Sequence, residues 1–152
     1  MDNPEKPTTL ITGAGIGIGA ATARAFADAD YRVIVTDILE GEGRSVAGDI
    51  ESGGGEAEYR HLDVTNTDEV DAVVSTVQDR YGPLHTVVAN AGIAHRVPLT
   101  ELTDEKWDHT HDVDLKGVMR VCRAAAPAMR AAGRGSMIAL SSIMGVAYGW
   151  DK

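Results

Sequence analysis

Residues Thr8 to Gly19 read Thr8-Thr9-Leu10-Ile11-Thr12-Gly13-Ala14-Gly15-Ile16-Gly17-Ile18-Gly19, and no other stretch limits the fold as strongly. A β-branched and apolar run stops at a glycine cluster, after which Ile18, Ala21, Thr22, Ala25 and Ala29 recur at helical spacing. The pattern predicts a strand, a tight turn and a helix. A turn without Cβ atoms lets a ligand approach the backbone, and the following helix N-terminus offers unpaired N–H groups and a positive dipole end. Such a place suits an anion, the usual one being a dinucleotide pyrophosphate. A glycine turn that serves packing alone is the competing reading.

The 152 residues fit one domain large enough to bury a core. A net charge of −9 repels phosphate backbones and anionic lipid, so neither a nucleic-acid nor a membrane partner is expected. No signal-peptide pattern is present, and no apolar stretch reaches the ~18 residues of a membrane helix. The single Cys122 cannot form an internal disulfide, which suits a reducing cytoplasm. Its apolar helical surroundings predict a buried, inert thiol.

Met1 to Pro7 read as a loose arm. Past the first helix, Tyr31 to Thr36 form a second strand that stops at Asp37, 18 residues beyond Gly19. An acidic side chain at that place in a dinucleotide fold accepts the adenosine ribose hydroxyls and repels a 2′-phosphate, which selects NAD over NADP. Glu40 to Ser52 make a helix stopped by Gly53-Gly54-Gly55, and Ala57, Tyr59 and His61 alternate with charged residues as in an edge strand leading to Asp63. Val70, Val73, Val74, Val77 and Tyr81 mark a third helix behind Thr65 and Thr67 as candidate caps. Leu84 to Ala89 form a buried fourth strand that runs into Asn90-Ala91-Gly92. A long helix is expected from Asp104 to Ala132 with a kink at Pro127, and Ser136 to Ser142 make a fifth strand. Alternating strands and helices build an α/β fold, a doubly wound parallel sheet with ligands at the carboxyl ends of its strands.

The turn Thr12-Gly13-x-x-x-Gly17-Ile18-Gly19, then Asp37, Asp63-Val64, Asn90-Ala91-Gly92 and Ser141-Ser142-x-x-Gly145 resemble the short-chain dehydrogenases/reductases in order and spacing. The resemblance runs from about Thr8 to Gly145. It implies a Rossmann-type sheet of strand order 3-2-1-4-5 and hydride transfer between NAD(H) and an alcohol or carbonyl substrate. Gly13, Ile16, Gly17, Ile18 and Gly19 would face the pyrophosphate, Asp37 the ribose, Asp63 and Val64 the adenine, and Asn90, Ala91 and Gly92 the middle of the cofactor. Ser142 matches the family's catalytic serine.

Two positions depart from the family pattern. Asp114 stands where the family has an asparagine that helps to anchor a water in a proton relay; an aspartate accepts from water but cannot donate. The family's general acid/base pair is spaced Tyr-x-x-x-Lys, a spacing that Tyr148 and Lys152 reproduce. They begin only six residues after Ser142, however, whereas the family's tyrosine lies further on. One reading is therefore an NAD-dependent oxidoreductase whose chain stops in the substrate loop that 143–152 begin; the alternative is a non-catalytic nucleotide-binding or interaction module. The resemblance also implies a homo-oligomer built on the long helix, with an exposed apolar face and edge strand here. His109 and His111 look like a metal pair on paper, but helix neighbours two apart point to different faces, so no metal is expected.

Overall fold

The computed structural model describes residues 6 to 142. Its strands are β1 (Thr8–Thr12), β2 (Arg32–Asp37), β3 (Glu56–His61), β4 (Thr86–Ala89) and β5 (Ser136–Ala139). All pair in parallel, in the order β3-β2-β1-β4-β5 that the motifs imply. They are connected by α1 (Gly17–Asp28), α2 (Glu40–Ser52), α3 (Thr67–Tyr81), α4 (Asp104–His111) and α5 (Val118–Ala131). A 3₁₀ turn at Leu99–Glu101 precedes α4, and a π-helical segment, Asp112–Gly117, joins α4 to α5.

Parallel strands are covered on both faces, and β1, β2 and β4 are buried along their whole length. Side-chain alternation sorts their residues between two cores. Leu10, Ile34 and Val87 pack with Val70 and Val74 of α3 and Val121 of α5. Ile11, Val33, Val35 and Val88 pack with Ala20 and Ala23 of α1 and Val46 and Ile50 of α2. Edge strand β3 is half-buried, as its alternating charges predict, and the opposite edge, β5, is exposed throughout. The chain runs outward through β1, β2 and β3, then returns to the other side of β1 for β4. That reversal opens a crevice at the carboxyl ends of β1 and β4. Among the described residues no helix is long and apolar enough to cross a membrane.

Several expectations need correction. The helical period of α1 is as read, but its buried face is Gly19, Ala20 and Ala23, while Ile18 is 68% exposed. Small residues lie inward because the helix must press close to the sheet. The cap of α3 is Asn66, whose Oδ1 accepts from the Glu69 N–H, not Thr65 or Thr67. The long helix is interrupted by the π-helical segment, which the sequence reading did not place; Pro127, the expected kink, lies inside α5. Lys6, read as part of a loose arm, is ion-paired with Asp30 at 2.8 Å, and the Pro7 carbonyl accepts from Arg32 N. Cys122 is half-buried rather than buried; that burial still pushes its thiol up, away from the reactive thiolate.

Candidate dinucleotide site

The turn after β1 takes its shape from two glycines in the left-handed region, Gly13 at φ 63° and Gly17 at φ 57°. Gly13 is also held close to the loop after β4, since a Cβ there would lie 2.8 Å from Ala91 Cα. Gly19 is held more tightly still: a Cβ would run into the Gly13 carbonyl and come within 2.6 Å of Asn90 Nδ2. A Cβ on Gly17 would meet nothing within 4 Å, so its bare backbone faces open space.

Cross-links join the two loops. The buried Thr12 hydroxyl accepts from the backbone N–H groups of Asn90 and Ala91, both at 3.0 Å. The Asn90 amide returns two donations at 2.9 Å, to the Thr12 and Gly13 carbonyls. Asn90 thus acts first as the bracket of the glycine turn.

Helix α1 has no side-chain cap at Ile16 and no acid in its first turn, whereas α3 and α4 have both. Its first N–H groups have no intrahelical acceptors, so the positive end of α1 is left available to an anion from outside the chain.

Asp37 closes β2 and is only 7% exposed. Its Oδ2 accepts from Gly15 N at 2.8 Å and its Oδ1 from Leu39 N at 2.9 Å. Beneath it the Tyr59 hydroxyl donates to the Asp37 carbonyl at 2.9 Å. Burial, then the charges of Glu40 and Asp37, push the Tyr59 phenol up, so it remains a donor. Asp63 Oδ1 accepts from both the backbone and the hydroxyl of Thr65, at 2.8 and 2.7 Å, and turns the chain after β3.

At the far end Asp114, on the π-helical segment, accepts the Ile93 N–H on Oδ1 at 2.8 Å. An asparagine carbonyl could accept that bond equally well, so the departure at this position preserves a structural contact. The segment is braced by Arg120, which donates to the Asp112 carboxylate at 2.7 Å and to the Val64 and Asp112 carbonyls. The Arg120 hydrogen bond holds the Asp112 carboxyl below the usual range.

The result is one cleft of about 480 Å³. Ten of the residues singled out in the sequence line it: Gly13, Ile16, Gly17, Ile18, Asp37, Asp63, Val64, Asn90, Ala91 and Gly92. Gly19 lies behind the lining as a packing contact, Asp114 stands behind Ile93, and Ser142 is exposed beyond β5. Tyr148 and Lys152 lie outside the described residues. Sequence reasoning missed Ile38, Leu39, Ile93, His109 and Val113, which also line the cleft. The apolar pair Ile38-Leu39 directly after an acidic strand end was a usable signal, since large apolar side chains in a polar turn mark a surface that meets something. His109 carried none; its ring lies 5.8 Å from that of His95, while His111 Nδ1 donates to the Trp107 carbonyl at 2.9 Å. Among the described residues no three His, Cys, Asp or Glu side chains group as metal ligands.

A parallel sheet with a glycine turn and an uncapped helix at its crevice places the chain among the doubly wound α/β proteins. The short chain dehydrogenase family model matches residues 7–151, and the chain belongs to that family. It is 38% identical over 151 residues to trans-4-hydroxycyclohexanecarboxylate dehydrogenase of Sinomonas cyclohexanicum, covering 95% of this chain and 58% of that protein. It is likewise 38% identical over 138 residues to the 3-alpha-(or 20-beta)-hydroxysteroid dehydrogenase of Mycobacterium tuberculosis, covering 91% and 52%. The chain thus spans little more than half the length of these relatives. Among solved structures, a metagenomic short-chain oxidoreductase in complex with NADP superposes with a TM-score of 0.89 at 34% identity, covering 97% of this chain and 67% of that one. A gluconate 5-dehydrogenase from Burkholderia cenocepacia, in complex with NADP and tartrate, gives 0.87 at 31%, covering 94% and 56%.

Proposed function

We propose that the cleft binds a nicotinamide dinucleotide, NAD(H) in preference to NADP(H), and serves hydride exchange with a small-molecule alcohol or carbonyl substrate. The observation that carries the cofactor preference is Asp37, a carboxylate fixed at the carboxyl end of β2 beside the cleft. No Lys or Arg lies between Gly13 and Gly19 or between Asp37 and Gly43 to offset its charge. A 2′-phosphate there would meet like charge, whereas two ribose hydroxyls would meet an acceptor. The two similar structures are complexes with NADP, from which an acid at Asp37 would set this chain apart.

The residues present fit the dinucleotide. The open, uncapped start of α1 at Ile16, Gly17 and Ile18 suits the pyrophosphate. Asp63 and Val64 would border the adenine, and Asn90, Ala91 and Gly92 the central part, with Asn90 holding Gly13 in place for close approach. The bound cofactor supplies a hydride donor or acceptor at its nicotinamide. Ser142 would hydrogen-bond the substrate oxygen as negative charge develops on it; Tyr148 and Lys152 have the Tyr-x-x-x-Lys spacing of a proton-transfer pair but stand nearer to Ser142 than the family's pair does. Exposed Trp107, Leu115 and Met119 on α4, the π-helical segment and α5 support self-association through that helical face.

Fluorescence titration with NADH and NADPH tests the reading. NADH should bind more tightly by about tenfold or more, one misplaced charge being worth at least that. Asp37→Ala should bring the two affinities together. Tighter NADPH binding by the unaltered chain defeats the preference, and binding of neither defeats the site.

A further inference from the structure

Gly15 is glycine for a different reason from its neighbours. It is absent from the left-handed region that Gly13 and Gly17 occupy, so no positive φ demands a glycine there. What it lacks is room. Its N–H donates to Asp37 Oδ2 at 2.8 Å. A Cβ at this position would lie 3.0 Å from that same oxygen, 3.2 Å from Asp37 Cγ and 3.3 Å from Glu42 Cβ.

The two walls of this slot differ in stiffness. Glu42 Cβ is fixed to the first turn of α2, whereas the Asp37 carboxylate sits at the end of a short side chain. A side chain at position 15 therefore displaces the carboxylate by a few tenths of an ångström, and the displacement acts on the 2.8 Å bond that holds it. The second tether, from Leu39 N to Oδ1, lets the carboxylate pivot as the first is stretched.

We propose that Gly15 is a positioning residue for cofactor choice: its N–H and its missing side chain set the Asp37 carboxylate where a ribose diol can use it. The inference rests on the reading of the cleft as a dinucleotide site and deepens it, because discrimination then depends on position 15 as well as on the acid at 37. A displaced carboxylate keeps its charge but loses its aim. NADH, which uses it as an acceptor, suffers more than NADPH, which is only repelled.

The test is a double-mutant cycle on Gly15→Ala and Asp37→Ala, read as NADH and NADPH dissociation constants. Gly15→Ala alone should weaken NADH about tenfold, the worth of a charged hydrogen bond, and NADPH by less than half of that on a logarithmic scale. In the Asp37→Ala background the same substitution should leave the affinity ratio unchanged. A second readout stands apart from the Gly15 variants: amide hydrogen exchange at Gly15 should quicken at least about tenfold in Asp37→Ala. Equal loss for both cofactors, the same ratio change in both backgrounds, or unaltered exchange at Gly15 overturns the inference while leaving the site intact. Failure of the unaltered chain to bind either dinucleotide overturns the underlying reading, and this inference with it.

Discussion

The two ends of the cleft are built by different means. The Asp37 end is local: Gly15, Asp37, Leu39 and Glu42 come from one β1-α1-β2-α2 run, and Asp37 is held by two backbone N–H groups. The far end is assembled at long range, with Asn90 reaching back to Gly13 and Ile93 tied to Asp114 twenty-one positions later. The sheet beneath shows the same contrast, since β2 is buried throughout and β5 exposed throughout. A local corner can tune one ligand contact without disturbing the fold; a corner assembled from distant segments links binding to stability.

The largest effect should come from joining the two ends by force. Gly19→Ala drives a methyl into the Gly13 carbonyl and against Asn90, and overpacking of backbone costs about 3 kcal/mol. A thermal melt should show a fall of roughly 10 °C, with dinucleotide affinity lost for both cofactors alike. Next is Asn90→Ala, which strips the Thr12 and Gly13 carbonyls of their shared donor. It should cost about 2 kcal/mol in urea unfolding and weaken NADH and NADPH equally, unlike any change at Asp37. Asp114→Ala should cost about 1 kcal/mol and Asp114→Asn about a third of that, because the asparagine keeps the acceptor for Ile93 N.

The smallest effect lies away from the cleft and serves as a control. His85 Nδ1 accepts the Thr8 N–H at 3.1 Å, and burial, helped by the Arg134 charge, lowers its pKa. The unfolded chain then binds the proton first. The stabilising contribution is complete above about pH 6.5 and is lost as pH falls from there toward the folded pKa. Urea unfolding at pH 7.5 and 5.5 should show a loss for the unaltered chain that His85→Gln reduces.

The parallel α/β sheet and the glycine turn with Asp37 were legible because glycine placement and strand-end acids are local signals with few physical causes, while the strand order and the other cleft residues came through the family resemblance. The inward face of α1 was not, since Ile18 is large and apolar yet lines the cleft, while Gly19, Ala20 and Ala23 face the sheet. Size, rather than hydropathy, decided that face. Nor was the break in the long helix legible: Asp112 to Gly117 contain no proline, whereas Pro127 looks like a breaker and is accommodated. The bond that defines Asp114 runs to Ile93, a residue whose distance in sequence hides the pairing.

The π-helical segment also governs which changes of length this chain could survive. A wider turn carries one residue more than an α-helix would need, so it works as a phase adjuster between α4 and α5. Deleting a single residue there would close the wide turn to an α-helical one and leave α5 in phase, whereas deleting one between Val118 and Val121 would rotate everything downstream by about 100°. Val121, Ala125 and Met129 would swing off the core together. The loop from Ile93 to Pro98 has no such angular register, so gains and losses of residues belong there, and the wide turn is the one place on this helical arm where the loss of a single residue leaves the core face of α5 in register.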